Sequence, residues 1–189
     1  MDTGATDLTG KMLIAMPGMG DARFEQSLVY LCAHTDTGAM GLIVNKPAAD
    51  VTLNDLWSQL EIEGDDGQDA RPVYYGGPVE QSRGFVLHGA DYEGGGESLQ
   101  VTQDFRMTAT IDILRDIRSG VGPARFLLAL GYAGWGPGQL EAEFAQNGWL
   151  VCAGSHELVF KTPDSEKWGA ALKSLGVSPM ALSSEGGRA

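Results

Sequence analysis

The chain is poor in the residues that most often carry chemistry. It has two cysteines and three histidines in 189 residues. Cys32 and Cys152 sit in apolar runs without Cys-x-x-Cys spacing, so no zinc ribbon or paired redox motif is spelled out. Both read as buried, reduced thiols. His34, His88 and His156 show none of the fixed spacings of helix-borne metal motifs such as His-x-x-x-His. They fall at strand ends, and the expectation is that each bonds to backbone or water at the loop-rich surface. No metal site and no cofactor are expected. Ser27, Ser82 and Ser155 lack a Gly-x-Ser-x-Gly elbow. Ser155 and His156 are adjacent, so on a strand they point to opposite faces and form no dyad.

Positive charge is scarce too. Thirteen Lys and Arg face 25 Asp and Glu, for a net charge of −12. Such a chain repels phosphate backbones, and no direct nucleic-acid partner is expected. The one basic concentration, Arg106, Arg115, Arg118 and Arg125, has Asp104, Asp112 and Asp116 threaded through it. Pairing within a helix, as between Asp112 and Arg115, is the natural outcome. A helix–turn–helix would need a second helix, whereas residues 120–123 (GVGP) lead into a strand pattern. No apolar run approaches the roughly 18 residues that span a bilayer, and the first residues lack a signal-peptide core. The expected location is the cytoplasm, with no membrane partner.

What the chain does have is 43% apolar residues and 27 glycines, about double the usual glycine share. That describes one globular domain over residues 1–189 with many tight connections, its ends (1–10 and 180–189) flexible. Residues 126–151 form its organising stretch. Residues 126–131 (FLLALG) read as a buried strand, and four glycines from Gly131 to Gly138 read as a turn. A helix follows over 139–146, stopped by Asn147-Gly148, and residues 149–153 resume strand chemistry. Strand, turn, helix, strand is a crossover. The glycines ahead of the helix invite a phosphate-loop reading. The Lys-Ser/Thr of that motif is missing, and Glu141 would repel phosphate, so a tight structural turn is preferred.

Elsewhere, residues 11–16 read as a strand, 21–26 as a link or one helical turn, and 27–34 and 39–45 as a hairpin covered on both faces. Thr52-Leu-Asn-Asp55 matches a capping box, and Leu53, Leu56, Trp57 and Leu60 make one helical stripe. Residues 61–70 form an acidic loop, and 72–75, 84–88 and 98–102 read as strands. Between the last two, residues 91–97 form a glycine-rich flexible loop. Residues 110–119 read as a helix with Ile113, Leu114 and Ile117 inward. Residues 157–161 read as a short strand. Thr162-Pro163 then caps a helix whose inward stripe is Trp168, Ala171, Leu172 and Leu175. The pattern is α+β, a mixed and mostly antiparallel sheet with about four short helices packed around it.

The hairpin supplies a geometric argument for a site. Pairing 28–33 with 40–44 puts His34 beside the turn and Asn45 and Lys46 at the other end, roughly 20 Å away at strand rise. Asp21, Arg23, Asn45 and Lys46 can therefore converge, offering carboxylate, guanidinium, amide and ammonium groups. These four are the candidate ligand-binding residues; a surface salt-bridge cluster is the plainer reading of the same set. No residue is nominated as catalytic.

Four stretches together resemble the YqgE/AlgH family of small bacterial proteins. They are Leu13-Ile-Ala-Met-Pro17 with Asp21 and Phe24; His34 with Gly41-Leu-Ile-Val-Asn-Lys-Pro47; Gly76-Gly-Pro-Val79 with Arg83-Gly-Phe-Val-Leu-His88; and Gly131-Tyr-Ala-Gly-Trp135 with Gly138-Gln-Leu-Glu141 and Trp149. The resemblance implies a barrel-like sheet with helices around it. Its members are often labelled transcriptional regulators, and it supplies no agreed catalytic residues. The expected function is that of a non-enzymatic binding or interaction protein with an unknown protein or small-molecule partner. The alternative is a small-molecule-binding or enzymatic domain using a polar cleft near Asp21, Asn45 and Lys46.

Overall fold

The computed structural model describes residues 6–18, 20–64, 69–94 and 97–182. In chain order it contains β1 (Lys11–Ala15), β2 (Leu28–Thr35), β3 (Gly38–Ile43), β4 (Pro47–Thr52), α1 (Leu53–Gln59), β5 (Pro72–Tyr75), β6 (Val79–Gly89), β7 (Leu99–Gln100) and β8 (Phe105–Thr108). There follow α2 (Ile111–Ser119), β9 (Phe126–Trp135), α3 (Gln139–Ala145), β10 (Trp149–Ala153) and α4 (Asp164–Ser174). The strands form one sheet in the order β10-β1-β2-β3-β9-β6-β8-β7, with the β4–β5 pair attached to β9. Every pairing is antiparallel except β5 with β9. The sheet is curled into a half-barrel, giving the expected α+β class.

Alternation explains why the runs are apolar throughout. Along β1, Met12 and Ile14 join the cluster inside the curl, with Tyr30, Leu42, Leu87 and Phe105. Leu13 and Ala15 join the opposite face, with Val29, Ile43, Trp135 and Trp149. A strand covered on both faces cannot afford polar positions. The curl brings β8 back over β2, where the Phe105 and Tyr30 rings lie 4.6 Å apart. α4 plugs this inner face, with Ala171 and Leu172 fully buried. α1 and α2 cover a third cluster built from Leu53, Trp57, Val73, Ile113 and Leu128. The Thr52–Asp55 capping box is present, its reciprocal bonds at 2.8 and 3.4 Å. Gly120 ends α2 in the left-handed conformation, and Asn147 at φ 58° ends α3.

Several expectations need correction. β9 does not stop at the glycines but runs through them to Trp135. Gly131, at φ 76°, is a left-handed position inside the strand, opposite the irregular stretch of β6 between Val79 and Gly84. Before it β9 lies between β6 and β5; after it, Ala133–Trp135 pairs with β3. The turn proper is Gly136–Gly138, where the Gln139 side chain accepts from the Gly136 N–H at 3.0 Å. The crossover itself stands: alternate pairing makes β10 parallel in sense to β9, with three strands between them. Residues 157–161 form a π-helical turn instead of a strand, and Thr162 donates back to the Glu157 carbonyl instead of capping α4. Leu60 and Leu175 point outward, each at the C-terminal end of its helix. Sequence reasoning missed β4, which opens on a proline and carries Asp50, and the four-residue β8.

The first residues are not all loose. Leu8 N–H donates to His34 Nδ1 at 3.1 Å and Gly10 N–H to the Leu31 carbonyl at 2.8 Å. Residues 1–5, residues 65–68 of the acidic loop, Gly95 and Gly96 of the glycine loop, and residues 183–189 lie outside the described residues. Among the described residues no helix is long and apolar enough to cross a membrane.

Candidate functional site

The segment between β1 and β2 must reverse direction at the sheet's end. Asp21 organises that reversal by capping a single 3-10 turn at Ala22–Phe24. Its carboxylate accepts the Arg23 backbone N–H at 3.0 Å and two guanidinium hydrogens at 3.1 and 2.8 Å. The Arg23 hydrogen bond holds the Asp21 carboxyl below the usual carboxylate range. Asn45, at the end of the hairpin, accepts from Leu28 N–H at 2.9 Å and donates to the Gln26 carbonyl at 2.8 Å. It thereby satisfies the backbone where Gln26 takes the left-handed conformation, φ 53°. Lys46 Nζ donates to the Arg23 carbonyl at 3.1 Å, and partial burial lowers its pKa.

The four candidate residues thus gather at one end of the hairpin, as the register argument expects. They do not share one surface. Asp21 lines a cleft of about 700 Å³, whereas Arg23, Asn45 and Lys46 lie outside its lining and brace the segment that forms its lip. The cleft runs between this segment, α4 and the 3-10 turn at Pro179–Leu182. Met16, Pro17, Trp168, Met180 and Leu182 give it apolar walls, and the carboxylates of Asp21 and Glu25 stand at its lip. Trp168 is half-buried, not buried as its stripe position suggests, because it lines the cleft; its indole N–H reaches the Ala15 carbonyl at 2.9 Å. That bond fixes the ring as one wall. A chain reading finds Trp168 as a core residue and misses it as a cleft residue, since half of a helix stripe can face a groove.

Beside α4 lies a polar cluster that sequence reasoning also missed. Lys167 is 2% exposed, its Nζ donating to the Val44 carbonyl and to Asp164 Oδ1, both at 2.8 Å. Tyr74 O–H donates to the same carboxylate at 2.9 Å. Burial lowers the Lys167 pKa and raises that of Tyr74. The signal was available: Lys167 stands one turn before Ala171 and so on the buried face of α4.

The histidines also differ from expectation. His88 is fully buried. Its Nδ1–H donates to the Gly89 carbonyl at 2.8 Å, so Nε2 accepts from the Thr108 hydroxyl at 2.8 Å. His34 is buried on β2; with Nδ1 accepting from Leu8, its Nε2–H donates to Glu141 Oε1 at 2.8 Å. Glu141 is therefore engaged within the fold. His156 does bond to backbone, donating to the Asp104 carbonyl. Among the described residues, no three His, Cys, Asp or Glu side chains are grouped as a metal site would need.

A curled antiparallel sheet, plugged by a C-terminal helix that also walls an acid-lipped cleft, defines an α+β half-barrel protein with a concave site at one sheet end. The chain belongs to the family described as AlgH-like, whose pattern matches residues 12–180. A UPF0301 protein of Ruegeria pomeroyi is 58% identical over 184 residues, covering 97% of this chain and all of that one. The solution structure of the AlgH protein from Pseudomonas aeruginosa, 37% identical, superposes with a TM-score of 0.80 over the whole of both chains. A crystal structure of a Corynebacterium diphtheriae protein, 21% identical, shares the fold with a TM-score of 0.69 over 92% of this chain and 88% of that one.

Proposed function

We propose that this protein is a non-enzymatic, cytoplasmic binding protein whose ligand occupies the cleft between residues 16–26 and α4. The observation that supports the reading is the cleft itself. Its volume, about 700 Å³, falls within the ~300–1,000 Å³ of small-molecule sites. Its composition, apolar walls with the Glu25 carboxylate and the Arg23-paired Asp21 at one lip, suits an amphipathic ligand with an apolar body and a cationic or hydroxyl-bearing head. Asp21 is the ligand-facing member of the sequence-derived set, and Arg23, Asn45 and Lys46 hold it in place. Any regulatory effect, of the kind the family's label suggests, runs through this ligand or a protein partner and not through direct contact with DNA.

A thermal-shift screen against nucleotides, cofactors, amines and common metabolites tests the proposal, because a ligand specific for the native state raises stability. The expected result is a hit that quenches or shifts Trp168 fluorescence and is weakened about tenfold or more by Glu25→Gln together with Met16→Ala. Hits that bind this double variant as tightly as the wild type would place the site elsewhere. Turnover of a hit would overturn the non-enzymatic part.

A further inference from the structure

We propose a second binding site, in the notch between β5 and β9, for a small organic anion with a flat apolar body, of the aromatic carboxylate class. The notch arises from an interrupted ladder. β5 and β9 run parallel but pair only at Tyr74–Ala129 and Tyr75–Leu130. Toward their N-termini each strand keeps its outer partner, Pro72 with Thr52 on β4 and Phe126 with His88 on β6. The edges that face each other are left apart. The space between them is about 260 Å³, just under the ~300 Å³ lower end of drug-sized sites, so it suits a ligand of about one ring.

Its lining combines two chemistries. Pro72, Tyr74, Phe126, Leu128 and Phe160 supply apolar and aromatic walls, and Arg71 and Arg125 complete the lining with two guanidinium-bearing residues. The walls are fixed in advance. Tyr74 is tied through its hydroxyl to Asp164, which Lys167 holds in turn. The Arg71 guanidinium lies over the Phe126 ring at 5.0 Å and is forked onto Asp69 at 2.9 and 2.7 Å. Arg71 therefore acts as a rigid, largely neutralised lid post. Arg125 is exposed and makes no ion pair among the described residues. In a chain with nearly twice as many acids as bases, an unneutralised guanidinium beside an aromatic slot selects for negative charge. Its planar fork matches a carboxylate, and the rings match a flat body.

The test is an NMR titration of the full chain with benzoate, using benzylamine as the charge-reversed control. Benzoate should give saturable shifts at millimolar concentration, centred on Tyr74, Phe126 and Leu128, while the Trp168 indole stays put. Arg125→Gln, a surface change whose thermal midpoint should match the wild type, should weaken binding about tenfold. Equal binding of benzylamine, an unchanged affinity in Arg125→Gln, or shifts that never saturate would each overturn the proposal. Because Trp168 is monitored in the same spectra, failure here is distinguishable from failure of the cleft reading.

Discussion

Among single residues, His88 is one whose protonation the fold constrains. Its ring is buried, and Nδ1–H and Nε2 are both committed, one as donor to Gly89 and the other as acceptor from Thr108. Burial lowers its pKa below the ordinary histidine value. The unfolded chain, with a histidine pKa of about 6.5, therefore binds a proton that the folded chain refuses. Stability contributed by the neutral ring is intact above about pH 6.5 and declines as pH falls from there toward the depressed folded value. Urea denaturation at pH 5.5 and 7.5 should show this loss, and His88→Gln should flatten it. An equal slope in the two proteins would assign the pH dependence elsewhere. Leu172, wholly inside the curl, carries a plainer expectation. Leu172→Ala should cost about 2–5 kcal/mol, read as a lower urea midpoint at constant slope.

At the scale of elements, β9 holds the two halves of the sheet together, and its bend depends on Gly131. A Cβ there would sit 2.4 Å from the Gly77 carbonyl oxygen, and the backbone is at φ 76°. Strain and clash act together, so Gly131→Ala should cost about 3 kcal/mol or more, whereas Gly138→Ala, with open space around it, should cost only the positive-φ penalty of about 1 kcal/mol. Comparable midpoints for the two variants would argue against this role for Gly131. What the sequence made legible follows from local signals. The Thr52–Asp55 cap, the Asn147-Gly148 stop and the hairpin register all rest on neighbours in the chain, and all are seen. The glycine run misled because one residue type serves both a turn and a close backbone approach within a strand, and only the partner strands decide between them. The π-helical turn at Glu157–Lys161 was hidden for a similar reason, since three apolar residues between two charges fit either state. The convergence of Asp21, Arg23, Asn45 and Lys46 was legible from the hairpin. The cleft wall was not, because Trp168 and Met180 arrive from a helix and turn that lie far along the chain.

For the whole molecule, charge sets one expectation and shape sets another. With a net charge of −12, the arginines of the one basic concentration are distributed over β8 (Arg106), α2 (Arg115 and Arg118) and the residue before β9 (Arg125) and do not gather on one helix. Arg115 is paired with Asp112 at 3.4 Å. An anisotropy titration on genomic fragments at near-physiological salt should show no saturable binding below about 1 μM, tighter than the ~10⁻⁴–10⁻⁶ M of non-specific binders. Binding in that range that weakens steeply with salt would restore a direct regulatory role.

The shape expectation is the central one, and the Trp168 indole N–H reports on it directly. That hydrogen is held by the Ala15 carbonyl at the cleft wall, so a ligand packed against the ring must move its resonance. In two-dimensional NMR spectra recorded with the strongest thermal-shift hit, the indole signal and the backbone signals of Asp21, Ala22 and Glu25 should move together and saturate at one affinity. Saturable binding that leaves all four signals in place would contradict the assignment of the cleft as the ligand site.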